Sequence, residues 1–311
     1  MTGAAMIGLA QVYMLAGLVF AAFAVLSARD ASNPKRLANA AFWGLLALSM
    51  LAGDRLGDFG NGLLVLALVG IAAVKGLGRG SQSPAAAPRS GKGLFALAVV
   101  IPLAALAGTL GFKHFPGLVD PKQATLVSLA LGVILALGLG MAWLRPRASE
   151  PLEEGRRLMD AVGWAAVLPQ MLASLGAVFA LAGVGEVVGQ LATAIIPEGS
   201  RLGAVLAYGL GMAAFTMVMG NAFAAFPVMA AAIGLPLLIH QYHGDPAVVA
   251  AIGMLSGFCG TLMTPMAANF NVVPAALLDL KDRNAVVKAQ VPTALPLLLV
   301  NIALLWFLAF R

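Results

Sequence analysis

Charged side chains are scarce in this chain. Asp, Glu, Lys and Arg together make up 10% of its 311 residues, whereas a soluble domain carries about 25%. Hydrophobic residues make up 61%, and they form long runs rather than the alternating or 3.6-residue patterns of soluble strands and helices. The shortage of charge excludes an ordinary soluble domain and predicts an all-α polytopic membrane protein.

Cysteine and histidine are almost absent. Cys259 is the only cysteine, so an intrachain disulfide and a cysteine zinc cluster are excluded. His240 and His243 lie three residues apart in a polar turn that offers no third ligand. The sequence GVGEVVG at 183–189 does not match the spacing of a dinucleotide-binding loop. We therefore predict no metal site, no cofactor and no enzymatic activity.

The apolar runs predict about eight to ten membrane segments, because a span needs roughly 20 mostly apolar residues. Asp160 is expected to begin the sixth segment, where its charge suits a helix N-terminus. The candidate segments are 6–27, 37–53, 60–74, 94–112, 124–144, 160–182, 202–239, 247–278 and 291–310.

Lys and Arg concentrate in alternate loops between these runs. The positive-inside rule then predicts that both termini lie outside the cytoplasm. The net charge of +6 follows from these loops and does not indicate a nucleic-acid partner. The first run has no basic residue before it, so we expect an uncleaved span rather than a secretory signal.

A Ser-, Pro- and Gly-rich basic segment at 79–93 predicts a cytoplasmic linker. It follows a three-span segment at 1–78. Two spans and a basic cytoplasmic loop are expected at 94–159, and a region with a hairpin and a broken helix at 160–311.

The apolar stretch 202–239 is interrupted near its middle by Gly220, Asn221 and Pro227. The turn around Asn221 contains no charge and little loop chemistry, which favours a tip buried against protein. We expect a re-entrant hairpin here, and two full spans are the alternative. Thr216 is expected to be structural.

A second interruption lies in the run 247–278. As one helix this run would be about 48 Å long, longer than a hydrocarbon core of about 30 Å. Pro265 follows two threonines and precedes two asparagines, so we expect one span broken at this proline.

Broken helices inside a membrane suit the binding of small ions. Helix N-termini offer free N–H groups to an anion, and the carbonyls at helix C-termini can hold a cation. The alternative is that these polar residues only hydrogen-bond neighbouring helices. Glu186 is a possible proton or ion relay, or an acid at the membrane interface. The predicted substrate-binding residues are Gly220, Asn221, Ala222, Thr261, Thr264, Pro265, Asn269 and Asn271.

Two short sequences resemble the ion transporter superfamily. GNAFAAFP at 220–227 is similar to its hairpin tip, and GTLMTPMAANFN at 260–271 is similar to its unwound helix. Asn221 matches the tip asparagine, with Gly220 in place of serine and Ala222 in place of threonine. Thr264, Pro265 and Asn269 match the second break.

Over nearly its whole length the chain resembles domain-of-unknown-function family 979, whose members are described as one subunit of a 5-oxoproline transporter. The resemblance implies a secondary transporter subunit that moves a small organic anion across the bacterial inner membrane by alternating access. It also implies coupling to Na⁺ or H⁺, and a second, smaller membrane subunit as partner, with a homodimer as the alternative. A non-transporting scaffold subunit is the rival interpretation.

Overall fold

The computed structural model describes residues 6–74, 76–80, 94–115, 117–197, 199–278 and 280–311. These residues form helices and no strand apart from one isolated bridge between Ile7 and Val119. Seven of the described helices are long and apolar enough to cross a membrane, and a bent pair raises the number to eight. The predicted all-α polytopic membrane fold is confirmed. The chain divides into two compact units, Met1–Gly163 and Trp164–Arg311.

The described residues of the first unit form five α-helices and one short 3-10 turn at Phe112–His114. The helices are α1 Leu9–Arg29, α2 Arg36–Ala73, α3 Leu94–Gly111, α4 Ala124–Leu144 and α5 Glu150–Val162.

Helix α2 folds back on itself at Gly57. Its 38 residues would extend about 57 Å as a straight helix. Yet the Asn39 Nδ2, near its start, donates a hydrogen bond to the carbonyl of Gly78, beyond its end, at 2.8 Å. Gly57 has φ 63° and ψ −179°, a conformation that is essentially restricted to glycine. The two halves of α2 therefore run in opposite directions.

Replacing Gly57 by alanine is expected to destabilise this turn by about 1–3 kcal/mol, since a side chain is strained in that conformation. A Cβ at this position would have nothing within 4 Å, so the loss would come from the backbone alone. Thermal unfolding of the purified variant measures it. Gly62→Ala, also in open space but without positive φ, is the control and should not lower the unfolding temperature, because alanine favours a helix interior over glycine.

A 3-10 turn, Gly163–Val167, precedes the helices of the second unit, whose described residues form seven α-helices. They are α6 Leu168–Leu181, α7 Val184–Ile195, α8 Arg201–Met219, α9 Ala222–Met229, α10 Pro246–Leu262, α11 Val272–Leu277 and α12 Ala285–Leu308. A π-helix, Ala230–Gln241, continues α9 without a gap.

The expectation of one span at 160–182 is wrong. Asp160 lies in the last turn of α5 rather than at a helix start, and Gly163 then adopts φ 60° and ends that helix. A further glycine, Gly183 with φ 70°, separates α6 from α7. The segments Ser174–Leu181 and Val184–Ala192 are bent by 70°. The bent helix pair is therefore formed by α6 and α7, and not by residues 202–239.

The core of the second unit is formed by α8, by α9 together with the π-helix that continues it (the α9 segment, 222–241), by α10 and by α12. Helices α8 and α10 run in parallel, because Gly253 lies against Tyr208 and Gly260 lies against Ala213 further along both helices. The α9 segment runs in the opposite direction, since Gly211 contacts Met229. The C-terminal ends of α8 and α10 therefore lie at the same level.

Candidate functional site

The chain turns sharply between α8 and α9. Gly220 has φ +74°, and its N–H donates to the Thr216 carbonyl at 2.7 Å, which ends α8. Asn221 is extended, and its Oδ1 accepts a hydrogen bond from the Phe223 N–H at 2.8 Å. An asparagine that caps a helix in this way satisfies one of the free N–H groups of its first turn. The predicted interruption at these two residues is thus a helix end followed at once by a helix start.

Residues 263–271 form the break after α10, and Asn271 holds it together. Its Nδ2 donates to the Thr261 carbonyl at 2.9 Å and to the Thr264 carbonyl at 2.6 Å. Carbonyls at a helix C-terminus have no partner within the helix. The Asn271 amide therefore replaces the lost helical bonds, and it is completely buried.

The turn at Gly220 and Asn221, which we call the tip, contacts the break at 263–271 directly. The Thr264 hydroxyl donates to the Met217 carbonyl at 2.9 Å, which links the break to the last turn of α8. A Cβ placed on Gly220 would lie 2.7 Å from the carbonyl carbon of Met266. We call this contact between residues 216–222 and 261–271 the junction.

Aromatic rings flank the junction. The rings of Phe223 and Phe258 are 5.6 Å apart in an edge-to-face arrangement, and Phe270 lies 6.5 Å from Phe258. Phe223 and Phe270 are largely exposed, so they present an apolar surface beside the polar backbone ends.

Most of the predicted binding residues meet in the junction, but not all of them face inward. Asn221, Ala222, Thr264 and Asn271 are buried there together with Gly220.

Three other predicted residues are arranged differently. Thr261 is buried, but its hydroxyl donates to the Phe258 carbonyl in its own helix at 2.6 Å. Pro265 and Asn269 are exposed. These two side chains do not contribute to the buried part of the junction.

Glu186 lies apart from the junction. It is exposed in the first turn of α7. Its neighbour Gly185 approaches Val228 and Ala231, about two helical turns beyond the tip. Its role as a relay stays a prediction.

Thr216, which we expected to be structural, also lies in the junction and is not among the predicted binding residues. It is completely buried, and its Oγ1 has no hydrogen-bond partner among the described residues. The Asn271 Oδ1 is likewise buried without a partner. An unpartnered buried polar atom costs about 1–3 kcal/mol, and such atoms are found at functional sites. Only its spacing in the sequence indicates that Thr216 lies in the junction, because it precedes Gly220 by one helical turn.

The junction lies at the C-terminal ends of α8 and α10. The lengths of these two helices therefore give its distance from their N-terminal ends. Helix α8 has 19 residues and α10 has 17, which correspond to about 28 Å and about 25 Å. A hydrocarbon core is about 30 Å thick. Helices Arg201–Met219 and Ala222–Gln241 are each long and apolar enough to span it. For 202–239 the arm lengths therefore favour two full spans over a short re-entrant hairpin.

The junction carries no charged side chain of its own, because Asp, Glu, Lys and Arg are absent from 202–239 and from 246–278. Its polarity comes from helix ends, threonine hydroxyls and asparagine amides. Such groups can bind a small ion or a polar molecule without a charged partner.

Comparison with known proteins identifies the family. A family model described as Protein of unknown function (DUF979) matches residues 10–310. No curated protein and no solved structure matches the chain. The match covers nearly the whole length and confirms the resemblance to this family. The chain is therefore a multi-span helical membrane protein that belongs to the family described as Protein of unknown function (DUF979).

Proposed function

We propose that this protein is a subunit of a secondary transporter that moves a small organic anion across the bacterial inner membrane by alternating access. One observation carries the proposal. Two buried oxygens that find no hydrogen-bond partner in the described part of the chain, Thr216 Oγ1 and Asn271 Oδ1, belong to residues of a junction between two helix interruptions. Ligand contacts would satisfy these oxygens, whereas a purely structural junction gains nothing from them.

The chemistry of the junction fits a substrate that carries both an anionic group and an N–H group. The first turn of α9 offers backbone N–H groups and the positive end of a helix dipole to a carboxylate. The unpartnered oxygens can accept from an N–H donor. The substrate 5-oxoproline, implied by the family resemblance, has a carboxylate and a lactam N–H. It is therefore the first substrate to test.

Coupling and assembly complete the proposal. Symport with Na⁺ or H⁺ would supply the driving force, and backbone carbonyls at the end of α10 are suitable oxygen ligands for a cation. The described part of the second unit holds one junction of this kind. We propose that a second, smaller membrane subunit, or a second copy of this chain, supplies the remainder of the transport site.

Replacing Thr216 by valine tests the proposal, because valine keeps the shape and removes the hydroxyl. We expect the variant to fold as well as the wild type, since the hydroxyl has no partner to lose. Uptake of radiolabelled 5-oxoproline should fall about tenfold, the effect of one hydrogen bond of about 1.4 kcal/mol. Uptake is measured in cells whose only copy of this chain carries the substitution.

Ser256→Ala is the matched control. Ser256 is also completely buried, but its hydroxyl donates to the Ile252 carbonyl of its own helix at 2.9 Å. This variant should retain wild-type uptake. If Thr216→Val folds and transports normally while deletion of the chain abolishes uptake, the junction is not the substrate site. If deletion changes no uptake, the chain is not a 5-oxoproline transporter subunit, and a scaffold role is favoured.

A further inference from the structure

A buried carboxylate lies in the first unit, where α5 packs on α1 and α2. The Asp160 side chain is 3% exposed. Its Oδ1 accepts hydrogen bonds from Asn39 Nδ2 and from Trp43 Nε1, both at 2.8 Å. Its Oδ2 accepts from Arg156 Nη1 at 2.9 Å. Asp160 thus joins α5 to the first half of α2.

A second carboxylate shares the same guanidinium nitrogen. Arg156 Nη1 lies 3.0 Å from Asp30 Oδ2, and these two side chains are 17% and 14% exposed. The other oxygen of Asp30 accepts hydrogen bonds from the backbone and the hydroxyl of Ser32. Asp30 can therefore keep Arg156 when Asp160 changes its charge.

The charged groups around Asp160 come from the end of α1, from α5 and from the segments that flank α2. Asp30 lies at the end of α1 and Arg156 on α5. The segment that follows α2 contributes Arg79, whose Nη2 donates to the Ala161 carbonyl at 3.2 Å. The side-chain carbons of Lys35 lie close to Gly78 of that segment. Helix α2 itself contributes only uncharged donors at this site.

The two carboxyl groups titrate in opposite directions from their usual values. Burial raises the pKa of Asp160, although hydrogen bonds from Trp43, Asn39 and Arg156 oppose this effect. For Asp30, burial is outweighed by the hydrogen bonds from Ser32 and the charge of Arg156, which leave its pKa below the usual value. Asp160 is therefore the member of the pair that takes up a proton first as the pH falls.

We propose that Asp160 is a proton-binding site whose protonation tightens the packing of α5 on α1 and α2. A hydronium ion from solvent gives its proton to Oδ2 and leaves as water, the hydrogen bond from Arg156 Nη1 to Oδ2 is lost, and no electron is transferred. The Trp43 and Asn39 donors remain on Oδ1, and Arg156 remains on Asp30. Both contacts of α5 are thus kept while the buried negative charge is removed.

The sign of the effect follows from linkage. A carboxyl whose pKa is higher in the packed state than in a water-exposed state binds its proton more tightly when packed. Packing of α5 is therefore strongest where Asp160 is protonated and Asp30 is still ionised, and it weakens as the pH rises through the pKa of Asp160 in the packed state. The proposal does not depend on the transport function.

Trp43 provides a direct reporter, because its indole N–H donates to the Asp160 carboxylate. Of the four tryptophans, the other three, Trp143, Trp164 and Trp306, are replaced by phenylalanine. Trp43 emission is then followed from pH 3.5 to 8 in the full-length, detergent-purified protein. We expect a transition with a midpoint above about 3.9, the ordinary pKa of aspartate. It should be absent in Asp160→Asn and unchanged in the exposed control Asp54→Asn.

The variant Asp30→Asn distinguishes a proton-binding Asp160 from an Asp160 that makes only a structural contact. Without Asp30, Arg156 is left with Asp160 as its one carboxylate partner among the described side chains, so the midpoint should move to lower pH. This variant decides the question even if Asp160→Asn does not fold. The proposal is overturned if the wild type shows no transition, if Asp160→Asn keeps it, or if Asp30→Asn leaves the midpoint in place.

Discussion

Replacing Gly220 by alanine is expected to abolish uptake and to destabilise the second unit by several kcal/mol. Two effects add. A side chain in the left-handed conformation at φ +74° costs about 1–2 kcal/mol. The new Cβ would also lie 2.7 Å from the Met266 carbonyl carbon, and overpacking of this kind costs about 1–3 kcal/mol. Because the obstacle is backbone, the tip can accommodate the methyl group only by moving away from the break.

Thermal unfolding of the purified protein and uptake in cells measure the two consequences. Gly199→Ala is the matched control, because Gly199 has nearly the same φ of +73° but nothing within 4 Å of an added Cβ. It should show the conformational loss alone and keep its uptake. Equal losses in the two variants would contradict a tight contact between the tip and the break.

The second large effect is expected for Asn271→Asp. The change removes the donor that satisfies the Thr261 and Thr264 carbonyls and places an acid at a completely buried position. An ionised carboxylate there would face two carbonyl oxygens, and an uncompensated buried charge costs about 3–5 kcal/mol. We expect little folded, monodisperse protein on size-exclusion chromatography and no measurable uptake.

Asn269→Asp is the control for this variant, since Asn269 lies two residues away and is exposed. It makes the same chemical change in the same break and should fold normally, because its side chain is exposed. Normal folding of Asn271→Asp would show that its amide does not hold the break together. A severe defect in Asn269→Asp would show that charge anywhere in the break is harmful.

The positions of both breaks could be predicted because their causes are local. Gly220 and Asn221 combine a residue that adopts positive φ easily with a residue that caps helices. Pro265 cannot continue a helix and marks the second break in the same way. By contrast, Gly163 and Gly183 have no adjacent asparagine or proline, so hydropathy predicted one span at 160–182. Hydropathy measures the transfer of side chains into lipid and is insensitive to the direction of the backbone.

The sequence by itself determined the class of the protein. A chain with so little charge and such long apolar runs must satisfy its backbone hydrogen bonds within each segment, which leaves helices in a membrane. Tertiary structure alone decided which polar atoms remain unpaired and which acid is buried. Thr216 lacks a partner because of how α8, α9 and α10 pack. Asp160 owes its environment to residues 117 and 121 positions away, a separation over which local sequence carries no information.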